Sequence, residues 1–166
     1  MDVTTAVQTK YAVRSFTDQP LSKAVLTDIL NAGRRAQSSK NTQPWQFVVI
    51  ENRETLQALS GAGDYAQHIG IAAAAICLIG KKDTTPWEAY DFGQASSYMQ
   101  LAAWEAGVGS CIAAFHRPEQ AAQVLNLPDD KACWCALSFG YPSPDAKPAK
   151  MGGRKALEDL THWETW

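Results

Sequence analysis

Apolar residues in this chain recur at helical spacing in some stretches and as alternating or continuous runs in others, and the switches between these patterns predict an ordered set of elements. Residues 2–10 read as a short helix that ends before Tyr11. Ser22 is placed to cap a second helix whose apolar positions are Val25, Leu26, Ile29 and Leu30. Gly33, late in that helix, predicts close approach of another backbone. Residues 45–50 are rich in β-branched and aromatic side chains and predict a strand, followed through Glu51 and Asn52 by a helix to about Ser60. The run 71–79, bounded by Gly70 and Gly80, reads as a fully buried strand, with its four alanines leaving a helix as the alternative. A long helix carrying Tyr90, Tyr98, Leu101 and Trp104 is expected from Pro86 to Gly107. A short strand over 109–113 follows, then a helix from Pro118 to about Leu125, which Pro128 prevents from continuing. A strand over 132–141 ends at the Pro142-Ser143-Pro144 turn. Residues 145–153 have the lysines, proline and glycines of an extended arm, and 155–166 predict a short helix with an aromatic tail.

Composition narrows the class. With 166 residues, 46% apolar and 19% charged, the chain has material for a substantial core, and no repeat or linker divides it. The expectation is one α/β or α+β domain over residues 1–166. Fifteen Lys and Arg against seventeen Asp and Glu leave a net charge of -2, which argues against a general nucleic-acid binder. The apolar run 69–80 is too short to cross a bilayer, and the N-terminus has no basic region followed by an apolar stretch. Cys77, Cys111, Cys133 and Cys135 do not have the spacing of a disulfide-stapled scaffold, so reduced thiols and a cytoplasmic location are expected. Trp45, Trp104 and Trp134 fall in predicted core elements.

Catalytic motifs are sparse. There is no P-loop and no Gly-x-Ser-x-Gly elbow, and His68, His116 and His162 lie far apart without acidic neighbours at ligand spacing, so no metal is expected. Cys133 and Cys135, two apart on a strand, would share one face; that is compatible with a metal, and two small core hydrophobes are the favoured expectation. Gly107-Val108-Gly109 lacks the third glycine of a dinucleotide fingerprint. The segment Ser38-Ser39-Lys40-Asn41-Thr42-Gln43-Pro44-Trp45 gathers hydroxyl and amide groups between a helix and a strand, a set suited to a planar heterocycle with imide-like edges.

Further segments bring in a family. Lys10-Tyr11-Ala12-Val13-Arg14-Ser15-Phe16 resembles the opening Arg-Arg-Ser-x-Arg-x-Phe motif of the nitroreductase family of FMN-dependent oxidoreductases. Residues 38–45 are similar to that family's Pro-Ser-x-x-Asn-x-Gln-Pro-Trp loop. Residues 107–115, Leu127-Pro128 and Phe139-Gly140-Tyr141-Pro142 follow its later pattern, and Arg154-Lys155-Ala156-Leu157-Glu158-Asp159-Leu160 resembles its terminal Arg-Lys-Pro-Leu-Glu-Glu. The matches run in order from residue 10 to the C-terminus. Lys10 stands where the first arginine is usual, Ala12 where serine is common, and Gln37 where proline precedes the serines.

The resemblance implies an α+β fold, a central mainly antiparallel sheet flanked by helices, in an intertwined homodimer with FMN at the interface. It implies that Lys10 and Arg14 meet the FMN phosphate together with Arg154 and Lys155, since a buried dianion needs charge-assisted hydrogen bonds. Tyr11 and Ala12 belong to the same motif. Arg35, Ser38, Ser39, Asn41 and Gln43 would reach the flavin, several of them across the dimer, and Ile112, Ala113 and Ala114 would present backbone N–H groups beside the ring. The implied activity passes a hydride from NADH or NADPH through flavin to a nitroaromatic, quinone or similar acceptor. The cofactor carries that chemistry, so no catalytic side chain is expected. The alternatives are a reductive dehalogenase or flavin-fragmenting enzyme on the same scaffold, and a flavin-binding module of low turnover.

Overall fold

The computed structural model describes residues 1–149 and 153–166. Of the expected arm over 145–153, residues 150–152 lie outside the described set. Side-chain caps begin most of the helices. Asp2 caps α1 (Val3–Thr9), accepting the Thr5 N–H at 3.0 Å. Ser22 caps α2 (Lys23–Arg34) through the Val25 N–H at 3.2 Å, and Asn52 caps α3 (Arg53–Ser60) through Thr55 at 2.9 Å. After the four-residue α4 (Gln67–Gly70), helix α5 (Pro86–Glu105) opens in a reciprocal box between Thr85 and Glu88, with proline in its first turn. Pro118 likewise opens α6 (Pro118–Val124).

Four strands, β1 (Gln46–Ile50), β2 (Ala74–Lys81), β3 (Gly109–Ala113) and β4 (Lys131–Gly140), form one sheet in the order β1-β2-β4-β3, with every pairing antiparallel. The period of two along β2 sends Ala74, Ile76 and Leu78 to one face and Ala75, Cys77 and Ile79 to the other. The first set packs with Leu26 and Ile29 of α2 and Phe92, Met99 and Ala103 of α5. The second packs with Leu56 and Leu59 of α3, Ile69 of α4 and Ala121 of α6. Burial on both faces is why β2 reads as a continuous apolar run. The fold is α+β, with helices on both sides of an antiparallel sheet.

Several expectations change on contact with the structure. The strand predicted from residue 71 starts at Ala74, because the turn that follows α4 takes up residues 71–73 and leaves Ile71 51% exposed. Arg53 Nη1 and Gln57 Nε2 each donate to the Gly70 carbonyl at 2.8 Å, pinning that turn. Gly33 makes room for the Met99 side chain of α5 rather than for a backbone. On α5 the buried stripe is Phe92, Ala95, Met99 and Ala103, whereas Tyr90 and Tyr98 face outward.

Cys133 and Cys135 do not share a face. The register slips between Leu78, opposite Cys135, and Ile79, opposite Cys133, so Trp134 is the extra residue of a β-bulge. Cys133 joins the α3–α6 side of the core and Cys135 the α5 side. Burial pushes the Cys135 thiol up to about 12, and the Cys133 thiol is raised by Cys77 beside it together with burial. Both are inert core thiols. Of the three tryptophans expected in core elements, Trp45 is buried, Trp104 is half-buried, and the bulge leaves Trp134 partly exposed, its indole stacked on Phe92.

The segment after α1 adds to the open edge of β3. Ala12 bridges Ser110 in parallel, and the Val13 N–H donates to the Ser110 carbonyl at 3.0 Å. Val13 is 1% exposed, and a β-carbon on Gly109 would lie within 2.7 Å of its side chain. Gly109→Ala should therefore push this segment off the sheet and lower stability by about 1–3 kcal/mol. Thermal unfolding checks this, and a melting temperature equal to that of the wild type would contradict it.

Candidate active site

The docked N-terminal segment brings Lys10 against the side of α5. A cavity of about 390 Å³ opens there, lined by Lys10, Tyr11 and Ala12 from the segment, Ser97 and Gln100 from α5, and Arg154 from the C-terminal segment. Lys10 is half-buried, and burial lowers its pKa from the ordinary lysine value. Its ammonium donates to the Gln100 side-chain carbonyl. Among the described residues Lys10 and Arg154 make no ion pair, and no carboxylate lines the cavity. Two cations and the Gln100 amide around a space without an acid form a donor set suited to a phosphate, while the Ser97 hydroxyl donates to the Gly93 carbonyl at 2.8 Å. Tyr11 packs edge-on against Trp104 at 5.3 Å, which fixes the outer wall. Residues 10–12 and Arg154 thus converge, although most of the chain's length separates them.

Arg14 does not line this cavity. It is exposed, and its charge acts on Cys111 and on His68. His68 is 4% exposed, with Nδ1 2.8 Å from Ser138 Oγ, and that hydroxyl lies 3.3 Å from the Cys111 carbonyl oxygen. Nε2 of His68 is buried without a partner. Burial first, and the Arg14 guanidinium second, push its pKa down to about 4.

The loop Ser38–Gln43 sits elsewhere, beside the N-terminal half of α5. Lys40, Asn41 and Gln43 all take left-handed backbone conformations, with φ of 52°, 56° and 46°. Ser38 Oγ accepts the Gln43 N–H at 2.9 Å, and the buried Asp91 carboxylate accepts the Ser39 N–H at 3.0 Å. Ser39, Asn41 and Gln43 are exposed, as is Arg35 at the end of α2. A second cavity of about 320 Å³ lies between this loop and Trp87, Tyr90 and Gln94.

Ile112, Ala113 and Ala114 form the exit of β3. Ser110 directs its carbonyl away from β4 to Val13, so by alternation the backbone groups of Ile112 and Ala114 face the same open edge. Among the described residues, no strand covers that edge past the Ala12–Ser110 bridge. Gly63 packs on the exit, since a β-carbon there would sit 2.7 Å from the Ala114 carbonyl oxygen. Arg117 donates to the Gly61 carbonyl at 3.0 Å and pairs with Asp64 at 2.8 Å, holding the Asp64 carboxyl below the usual carboxylate range.

One chain therefore gathers the expected residues into three groups. Lys10, Tyr11, Ala12 and Arg154 share a cavity, the 35–43 loop stands apart beside Asp91, and residues 112–114 line the sheet edge. Lys155 is exposed and does not line the cavity. Sequence reasoning missed Ser97, Gln100 and Asp91. The last two are polar residues within the buried side of α5, and that mismatch with the apolar stripe was the available signal.

Comparison with known proteins identifies the class. The nitroreductase family model matches residues 7–63 and 60–141. The chain is 30% identical, over 96% of its length and 96% of the other's, to an Archaeoglobus fulgidus protein provisionally named NADH dehydrogenase/NAD(P)H nitroreductase. It is 23% identical to the NADH dehydrogenase of Thermus thermophilus, with 98% of this chain and 96% of that one covered. Among solved structures, the FMN-dependent nitroreductase of Clostridium difficile R20291 superposes with a TM-score of 0.88 at 25% identity, over 99% of this chain and 100% of that chain. This is an oxidoreductase, and the chain belongs to the nitroreductase family. The family-model match ends before Arg154 and Lys155; of these two, Arg154 lines the cavity and Lys155 does not. No helix among the described residues is long and apolar enough to cross a membrane.

His68 gives the fold a pH signature. Between its ordinary value of 6.5 and about 4, the unfolded chain binds a proton there that the folded chain does not. Stability is therefore intact above that window and falls as pH drops through it, by at most about 3 kcal/mol. His68→Gln should flatten this part of a melting-temperature profile between pH 7 and 4. An unchanged acid slope would show that other groups control it.

Proposed function

We propose that this protein is an FMN-dependent oxidoreductase that takes electrons from NADH or NADPH and delivers them to a nitroaromatic, quinone or similar small acceptor. The observation that carries this reading is the acid-free cavity lined by half-buried Lys10 and exposed Arg154. The donor set fits the terminal phosphate of FMN, with the Gln100 amide adding a neutral donor. Bound FMN would supply the hydride-accepting ring. The chain's own part is to hold and orient it. Lys10 and Arg154 would fix the phosphate, Ile112 and Ala114 would offer backbone donors at the sheet edge, and Asn41 and Gln43 would meet polar ring edges. Arg14, outside the cavity and near His68 and Cys111, is assigned to the ring side rather than to the phosphate.

The same reading includes a homodimer. The loop 35–43 and the phosphate cavity lie at different places along α5, so one chain does not close a single site around a flavin. Leu157, Leu160, Trp163 and Trp166 recur every three residues and are all exposed, from 61% to 100%. Trp87 and Tyr90 on α5 are 70% and 63% exposed. A second copy would cover this apolar surface and bring its loop to the first copy's cavity. Light scattering should give twice the chain mass at micromolar concentration.

Flavin titration tests the assignment. Lys10→Ala and Arg154→Ala should each weaken FMN binding by about one to two decades, the worth of one charge-assisted hydrogen bond. Riboflavin, which has no phosphate, should bind these variants about as well as it binds wild type. Arg14→Ala should affect both flavins alike. Equal loss of riboflavin and FMN on removing Lys10 or Arg154 would move the phosphate elsewhere.

A further inference from the structure

Asp91 is a charged residue in the wrong place for a charge. It lies on the buried side of α5, is 3% exposed, and forms no ion pair among the described residues. A carboxylate buried without a cation is unfavourable, and such groups persist where their hydrogen bonds are needed. Its recorded partner is the backbone N–H of Ser39, 3.0 Å from Oδ2 and 52 positions away in sequence. Ser39 opens the turn Ser39–Asn41; the left-handed Lys40 and Asn41 follow it directly, and Gln43 is left-handed after Thr42. Left-handed backbone is disfavoured for side chains such as those of Lys40 and Gln43, so this shape persists only when neighbouring structure imposes it.

The loop's other restraints are internal to it: Asn41 N–H to the Ser38 carbonyl at 3.0 Å, Thr42 N–H to the Ser39 carbonyl at 3.1 Å, and Gln43 N–H to Ser38 Oγ at 2.9 Å. These bonds shape the turn. The chain on either side is fixed by Ala36 and Trp45, both buried in the core, and between those two anchors the Asp91 carboxylate supplies the loop's hydrogen bond to α5.

We propose that Asp91 is the positioning residue of the Ser38–Gln43 loop, tethering it to α5 so that Asn41 and Gln43 are presented in the conformation that receives the flavin ring. The inference rests on the flavin reading above for its consequence, though not for the tether itself. Asp91 touches no flavin in this scheme; it acts through the Ser39 peptide. Its loss should therefore weaken FMN and riboflavin by the same factor, unlike the loss of Lys10 or Arg154.

The experiment compares wild type, Asp91→Ala, Asp91→Asn and the double variant Asp91→Ala/Lys40→Gly as full-length protein, titrated with FMN and with riboflavin. Asp91→Ala should weaken both flavins about tenfold or more. Asp91→Asn keeps an acceptor oxygen and should stay within about threefold of wild type, which also guards against a misfolded alanine variant. Lys40→Gly relieves the left-handed strain that the tether opposes, so it should recover part of the affinity lost in Asp91→Ala. A purely structural defect in α5 would not be repaired from the loop. Trypsin cleavage after Lys40 in flavin-free protein reads the tether directly, and it should quicken about tenfold in Asp91→Ala and little in Asp91→Asn. Affinity within twofold of wild type in Asp91→Ala, failure of Lys40→Gly to recover any, or unchanged cleavage would each overturn the proposal. If wild type bound no flavin while Asp91→Ala still exposed Lys40 to trypsin, the tether would stand and the flavin reading would fall.

Discussion

The contact between Val13 and Gly109 holds the site together. Gly109 has no side chain where Val13 comes in, and the Val13 N–H reaches the Ser110 carbonyl at 3.0 Å. That docking adds residues 12 and 13 to the edge of β3, places Lys10 against α5 and sets Arg14 over the Cys111–His68 side. The Phe16–Pro142 bridge and the Thr17 N–H to the Tyr141 carbonyl at 2.9 Å hold the motif further along, and the Val13 docking is what joins it to β3. The same contact occupies the first part of the β3 edge and leaves the last part, at Ile112 and Ala114, open. A single packing event thus brings up the cations and also decides which stretch of backbone remains free to bind.

Electrostatics then separate two kinds of positive charge. Arg117 is matched by Asp64 and braces a loop. Lys10 has lost part of its hydration, has only the neutral Gln100 as partner, and shares its cavity with another cation. Desolvating an ammonium without a counter-charge is unfavourable unless an anion completes the arrangement. Surface lysines with water around them carry no such information. Burial without a counter-charge is what turns Lys10 from one of many cations into a pointer to a ligand.

Much of this was legible in the sequence, and the misses have physical reasons. The helix starts at Ser22, Asn52 and Pro86 were visible because capping chemistry is local. The strand over 109–113 and the ordered motifs from residue 10 onward were legible for the same reason. The Trp134 bulge was not, because it depends on how β4 meets β2, and a one-residue slip sends Cys133 and Cys135 to opposite faces. Nor were the different surroundings of Lys10 and Arg14. Both belong to one motif, and only the docking of that motif on β3 shows that Lys10 turns to α5 while Arg14 does not. Ser97, Gln100 and Asp91 carried no motif at all, and their importance lies in what they face across the fold.

Helix α5 is where these strands of reasoning meet. Its apolar stripe of Phe92, Ala95, Met99 and Ala103 seals one face of the core. Polar residues set within that buried side serve a different purpose, Asp91 toward the Ser39 peptide and Gln100 toward the Lys10 ammonium. The two lie nine positions apart, about 13 Å along a helix rising 1.5 Å per residue. A rigid rod of that length keeps the loop anchor and the cation cavity at a fixed spacing whatever the exposed segments do. In the proposed dimer, a second copy of the rod would complete the site that the anchor and the cavity leave open on one copy. The outward-facing Trp87, Tyr90 and Tyr98 on the same helix supply an apolar surface on which such a rod could pack.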